Sequence, residues 1–398
     1  MPRLLVIGGG FAGVFAALSA AAEIDEHGAD IDITLVSNSP FITNRTRLYE
    51  NHSAGLRAPL APTLDPVGIN FVLGDVNDID TINQTVQVTL SDEKSDVLQY
   101  DRLVVAVGSQ LKLPDIPGAA EFAWNIDTFE AAEKLDHFLR QRMQEPGPEQ
   151  DRVFVIVGAG LTGLELATEM RSRLAEYSGT AAAERARVVL VERRRVVGPK
   201  LEEDAREIIE RALSEAGVEL RLKTVLKVIE QDAVVLNDGE RIEAATVIIT
   251  SGVHANPLAA ALGGKTDGLG RLHTDETLLV TGVKNAYAAG DSARAAVDEA
   301  GHIALMSCQH AGTMGRYAGY NGAHDLMGLP LLTYRQERYV TCIDLGPTGA
   351  VFTSGWERTL QMQGAEAKAL KKQIVLERIM PPTGSAEEIL TVGKLKIT

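Results

Sequence analysis

Cysteine is scarce. The 398-residue chain has two, Cys308 and Cys342, and no C-x-x-C or C-x-x-x-x-C pair. On that count a disulfide framework and a structural zinc site are both excluded, and no metal site is expected. An enzyme working through a redox dithiol is excluded too. So little cysteine fits a reducing compartment, and the expected location is cytoplasmic. Basic residues are also in the minority, 39 Lys and Arg against 54 Asp and Glu, for a net charge of −15. That balance argues against nucleic acid and against simple electrostatic docking on anionic lipid. It leaves a neutral or apolar membrane-resident substrate open. No uninterrupted apolar run reaches roughly 18 residues, so no transmembrane segment is expected and nothing supports a peripheral membrane contact. Met1-Pro2-Arg3 leads straight into an apolar run, which leaves no room for a signal peptide. The remaining composition, 45% hydrophobic and 23% charged, is ordinary for a globular protein, and the length suits two or three domains.

Glycine, by contrast, is placed with a pattern. Gly8-Gly9-Gly10-Phe11-Ala12-Gly13 follows the apolar run Leu4-Leu5-Val6-Ile7, and Gly158-Ala159-Gly160-Leu161-Thr162-Gly163 follows Val153-Phe154-Val155-Ile156-Val157. Each loop sits where a strand should turn into a helix. The first glycine allows the tight turn, and the second lets the backbone approach a pyrophosphate. The third lets the helix pack closely on the strand, with the helix N-terminus facing the phosphates. One such loop is a weak signal. Two in this context imply two dinucleotides in one chain, and hence electron transfer between them.

The halves read as a duplication with an offset of 150 residues between the two loops, a domain-scale repeat. In the first unit a strand over 31–36 follows the helix. In the second the helix runs to about Leu174, a polar insertion follows around Tyr177 to Thr180, and a strand spans 188–191. Each half closes with a β-rich run ending in glycine, Leu103 to Ser109 and Thr246 to Gly252. Prolines mark crossings between units at Leu113 to Gly118 and near His254 to Pro257. A short strand ends in Ala289-Gly290-Asp291, and a helix follows from about Leu305 to Asn321. The tail reads as a small β-rich unit with one helix, 365–372, and mostly polar or short-stranded residues from Ser385 to Thr398.

On both loops, both strand-to-glycine crossovers and Ala289-Gly290-Asp291, the chain resembles the two-dinucleotide-binding-domain flavoproteins, the pyridine nucleotide-disulfide oxidoreductase superfamily. Lacking the dithiol, it is most similar to type II NADH dehydrogenases and their NADH dehydrogenase-like relatives. The resemblance implies an α/β fold of two Rossmann-like domains. The FAD domain would be discontinuous, residues 1–115 and 255–325. The NAD(P)H domain would be inserted as 116–254, and 326–398 would form a C-terminal interface or cap, which a homodimer could use.

It also implies roles. Gly8, Gly10, Phe11, Ala12 and Gly13 would cradle FAD, with Val76, Val107, Gly108 and Gly290 beside it and Asp291 on the ribityl chain. Ser37 stands where an acid usually holds the adenosine ribose, a departure that weakens this contact. Gly158, Gly160, Leu161, Thr162, Gly163 and Gly252 would serve NADH. Glu192 suits its free 2′-hydroxyl, and Arg193, Arg194 and Arg195 leave NADPH as the alternative. Glu165 falls where the family places a carboxylate near nicotinamide and flavin, with Glu169 read as structural. Gln309 matches the first of two glutamines lining a quinone site, and Thr313 replaces the second. His310 is a candidate proton donor, and Cys308 reads as an inert buried thiol. Arg45 and Arg47 lie in the loop beside the expected ring, where they either hold flavin or pair with acids such as Glu50.

The expectation is an FAD-dependent NADH dehydrogenase passing two electrons to a small quinone-like acceptor. Its rivals are a ferredoxin-type reductase, an NAD(P)H oxidase and a nucleotide-sensing flavoprotein without turnover.

Overall fold

In the computed structural model, which describes residues 1–51, 55–144 and 147–395 (without the side chains of 149 and 150), two parallel sheets carry the helices on their faces. The first sheet runs Ala286–Ala288, Arg102–Val105, Arg3–Ile7, Asp32–Ser37, Asn70–Asp80, Thr85–Leu90 and Ser95–Gln99. Its first five strands are parallel, and the last two extend it as an antiparallel arm. Leu4 to Ile7 are all buried because this central strand is covered on both faces, so it reads as a continuous apolar run rather than an alternation. Register places Ile7 between Val36 and Val105, so three strand ends meet where the first glycine loop leaves the sheet.

The second sheet repeats this plan with Ala123–Asn125, Thr246–Ile249, Val153–Val157, Arg187–Glu192 and Val218–Leu222, all parallel. Val157 lies between Val191 and Ile249, and the second loop leaves from there. The two chain crossings between the sheets pair antiparallel as Ser109–Leu111 with Val253–Ala255.

Two helices brace the first loop. Phe11–His27 and Cys308–Met327 run parallel and touch along their length. Gly315 and Gly319 allow this: a Cβ at either would collide with the backbone carbonyl of Ala12 or Ala16. Cys308–Met327 begins three residues later than expected, because Ser307 caps it, and continues to Gly328 in the left-handed region. The second loop's helix runs to Ser178, past the expected stop near Leu174, since Tyr177 is buried and bonded to Arg173.

The tail forms a meander, Val340–Asp344, Ala350–Ser354 and Thr359–Gln363, followed by the helix Gly364–Gln373. The expected polar or short-stranded end is instead a helix, Ala386–Gly393, which packs on Phe11–His27. Its Ser385–Glu388 capping box supplies the start. Residues 396–398 of that expectation lie outside the described residues. No described helix is long and apolar enough to cross a membrane.

Candidate functional site

The two glycine loops have the same geometry. Gly8 and Gly158 turn the chain at φ +114° and +105°. A Cβ at Gly13 would strike the Gly8 carbonyl oxygen, and one at Gly163 the Gly158 carbonyl oxygen, so each helix lies against its own loop. The middle glycines differ. A Cβ at Gly10 or Gly160 meets no protein atom within 4 Å. Both residues are N-caps without a side-chain cap, so the first helical N–H groups face that open side. A phosphate fits such a place through backbone donors and the helix dipole. Leu161 and Thr162 are exposed at the second mouth, while Phe11 is half-buried and Ala12 is buried against Gly290 at the first.

At the end of each second strand the two cradles diverge. Glu192 is buried and accepts from Ala159 N at 2.8 Å and from Arg194 N at 2.9 Å. Ser37 occupies the matching place, its hydroxyl under Gly9 and accepting from Ser39 N at 3.3 Å. Arg193, Arg194 and Arg195 are exposed. Val76 lies on the strand Asn70–Asp80, opposite Val88 of the antiparallel arm, and packs against the core of the first half. Val107 and Gly108 follow the strand Arg102–Val105, and Gly108 N donates to Ser292 Oγ at 3.1 Å. Gly252, at φ +103°, accepts from Lys112 N.

Asp291 is recessed behind the first cradle, where Ser109 Oγ donates to its Oδ2 at 2.6 Å. Burial raises its pKa, against the pull of Ser109 and Arg45. Arg45 binds the Ser109 carbonyl at 3.0 Å and forms an ion pair with Asp127, which also accepts from Leu111 N. It therefore ties the crossing strand to the inserted half. Arg47 is bidentate to Glu50 at 2.7 and 2.9 Å. Both guanidinium groups thus have carboxylate partners.

Glu165 is buried. Its Oε1 receives Lys371 Nζ at 2.6 Å and Asp344 N at 3.1 Å. Lys371, also buried, donates to Cys342 O at 3.0 Å. Burial pushes the Glu165 carboxyl up, only partly countered by Lys371. Burial opposes the Lys371 ammonium, but Glu165 beside it leaves its pKa raised. Burial likewise lifts Glu169 to about 7 in spite of Lys368, which bridges to Asp344 at 2.9 Å. The Tyr49 hydroxyl is pushed far up by burial and then by Glu165 and Asp344, so it stays protonated. The Cys308 thiol is also raised by burial; Lys371 lowers it and Asp291 raises it further. Asp291 of the first half and Lys371 of the tail thus bear on the same thiol.

Gln309 and His310 begin the helix here. The Gln309 side chain donates to Arg338 O at 3.1 Å and accepts from Val340 N at 3.3 Å, pinning the tail's first strand to the helix. His310 is fully buried, and burial lowers it to about 4, so it is neutral near pH 7. Its Nδ1 meets Ser307 Oγ at 2.9 Å, and Nε2 has no partner among the described residues. Its ring stacks on Tyr339, which stacks on Trp356 at 5.1 Å. Lys371, Asp344, Tyr49, Tyr339 and Trp356 were not picked out from sequence. They lie far along the chain from the residues they meet, and no local motif marks them.

A family model described as pyridine nucleotide-disulphide oxidoreductase matches residues 2–315. NADH dehydrogenase-like protein Rv1812c of Mycobacterium tuberculosis (strain ATCC 25618 / H37Rv) is 41% identical over 401 residues, covering 100% of this chain and 99% of that protein. Demethylphylloquinone reductase NdbB of Synechocystis sp. is 29% identical over 400 residues, with 98% and 95% covered. The fold matches the solved structure of NDH2 from Plasmodium falciparum in complex with NADH at a TM-score of 0.77 and 12% identity, over 98% of this chain and 97% of that one. The match to the family model and the end-to-end alignment with Rv1812c establish that the chain belongs to the pyridine nucleotide-disulphide oxidoreductase family, among its NADH dehydrogenase-like members.

Proposed function

We propose that the chain is an FAD-dependent NADH dehydrogenase that delivers two electrons to a small quinone-like acceptor. One observation carries this reading. Two cradles of matching geometry face open space at their middle glycines, with Asp291 held by Ser109 beside the first and Glu165 held by Lys371 on the helix that leaves the second. The names of the relatives support it: NdbB is a demethylphylloquinone reductase, and NDH2 was solved with NADH.

Bound in the first cradle, FAD would supply the hydride-accepting N5 and the two-electron step to the acceptor. The chain's own residues do the rest. Gly10 and the N-terminus of Phe11–His27 would face the pyrophosphate, Asp291 would accept from a ribityl hydroxyl, and Ser37 would meet the adenosine ribose. In the second cradle Gly160 would face the pyrophosphate of NADH and Glu192 its 2′-hydroxyl. Glu165, held through Oε1 by Lys371, would orient the nicotinamide end and take part in proton exchange there. His310 is neutral, so it would share a proton with an acceptor rather than offer a positive charge. Gln309 would shape the acceptor site by holding the tail against the helix.

Steady-state oxidation of NADH with a water-soluble quinone, with oxygen alone and with ferredoxin tests the proposal. Turnover should be fastest with the quinone. Fastest turnover with ferredoxin or oxygen would replace the acceptor assignment, and none with any acceptor despite bound flavin would favour nucleotide sensing.

A further inference from the structure

We propose a divalent transition-metal site, zinc in type, where the C-terminal ends of Phe11–His27 and Cys308–Met327 come together. Glu23 and His27 stand four apart on the first helix and so share a face. His324 joins them from the last turn of the second. One ligand atom from each of the three lies within 4.8 Å of the others. Glu23 is 7% exposed and His324 5%, while His27 opens to solvent.

The outer bonds set both rings for coordination. His324 Nδ1 lies 2.9 Å from Pro330 O, and His27 Nδ1 lies 3.0 Å from Glu23 O. A carbonyl oxygen only accepts, so each Nδ1 carries the proton and each Nε2 presents its lone pair. His324 Nε2 then faces Glu23 Oε2 at 2.9 Å, one lone pair against another. That contact needs either a proton between the two atoms or a metal shared with His27. Tyr320 stacks on His324 at 3.8 Å and fixes its plane.

The surroundings favour positive charge. Each helix presents the negative end of its dipole here. Glu26 adds a carboxylate next to the cluster, paired with Lys394 at 2.8 Å. Two imidazoles and one carboxylate suit zinc over magnesium or calcium, and water would complete four-coordination on the exposed His27 side. The scarcity of cysteine excludes only thiolate sites, and the expectation that no metal binds did not weigh this cluster. A metal here would clamp together the two helices whose other ends flank the first cradle.

Chelator-treated full-length protein titrated with zinc sulfate tests this directly. The expected result is one equivalent bound in competition with a chromogenic chelator, and a melting temperature several degrees higher at saturation. Magnesium chloride should do neither. His27→Ala, at an exposed position, should weaken zinc binding at least ~10-fold. Glu23→Gln should do the same while still offering His324 a hydrogen-bond donor, so the fold stays intact. His137→Ala, outside the cluster, should leave binding unchanged. Absence of stoichiometric binding, affinity unchanged from the parent in His27→Ala or Glu23→Gln, or the same shift with magnesium would overturn the site and leave a hydrogen-bonded His324–Glu23 pair.

Discussion

Two glycines three residues apart place opposite demands on a side chain. Gly10 faces open space at φ −83°, so valine there should leave the apoprotein's stability within about 0.5 kcal/mol of the parent and abolish flavin retention. Gly13 rests on the Gly8 carbonyl, so alanine there should cost about 1–3 kcal/mol in denaturant unfolding even without cofactor. Glu192→Ala removes a carboxylate suited to the 2′-hydroxyl of NADH. It should weaken NADH by about 1.5–3 kcal/mol and NADPH by less, read from kcat/KM with each coenzyme. Equal losses would contradict the nicotinamide assignment. Glu169 makes a pH prediction. Its pKa rises from an ordinary 4.5 to about 7 because burial disfavours the anion. The folded chain therefore holds this proton more tightly than the unfolded one. The associated stability is full below pH 4.5 and lost as pH climbs through about 7. Glu169→Gln should flatten the fall in melting temperature across that window and raise it above pH 7.

At the scale of elements, the parallel pair Phe11–His27 and Cys308–Met327 is the frame on which the first cradle rests. Gly319 lets the helices meet backbone to backbone at Ala16. Gly319→Ala should destabilise the protein by about 1–3 kcal/mol and loosen flavin binding, since the cradle opens from the same helix. Calorimetry with and without flavin would measure both. Much of this frame was legible beforehand. The apolar runs, the glycine spacing and Ala289-Gly290-Asp291 are local patterns, and local patterns survive in one dimension. The helix Ala386–Gly393 carried a readable start in Ser385 and Glu388, but its short apolar face resembled loop. The extension to Ser178 depended on Tyr177 finding Arg173 and Asp136, a contact periodicity does not record.

At the scale of the whole molecule, the candidate site is assembled from three parts of the chain. Glu165 was legible from its place after Gly163, whereas its partner Lys371 lies 206 positions on, in the region with the weakest motif content. Arg45 was open between flavin and carboxylate, and the partner it found, Asp127, belongs to the other half. Such cross-unit pairs decide the electrostatics where two coenzymes would meet, and they appear only on folding. The central claim is that a nicotinamide and a flavin lie against each other there. Anaerobic mixing of purified, flavin-loaded protein with one equivalent of NADH tests it most directly. Rapid bleaching of the flavin absorbance, slowed in Glu165→Gln, is the predicted result. A preparation that cannot be loaded with flavin, or loaded protein whose absorbance NADH leaves unchanged, would contradict it.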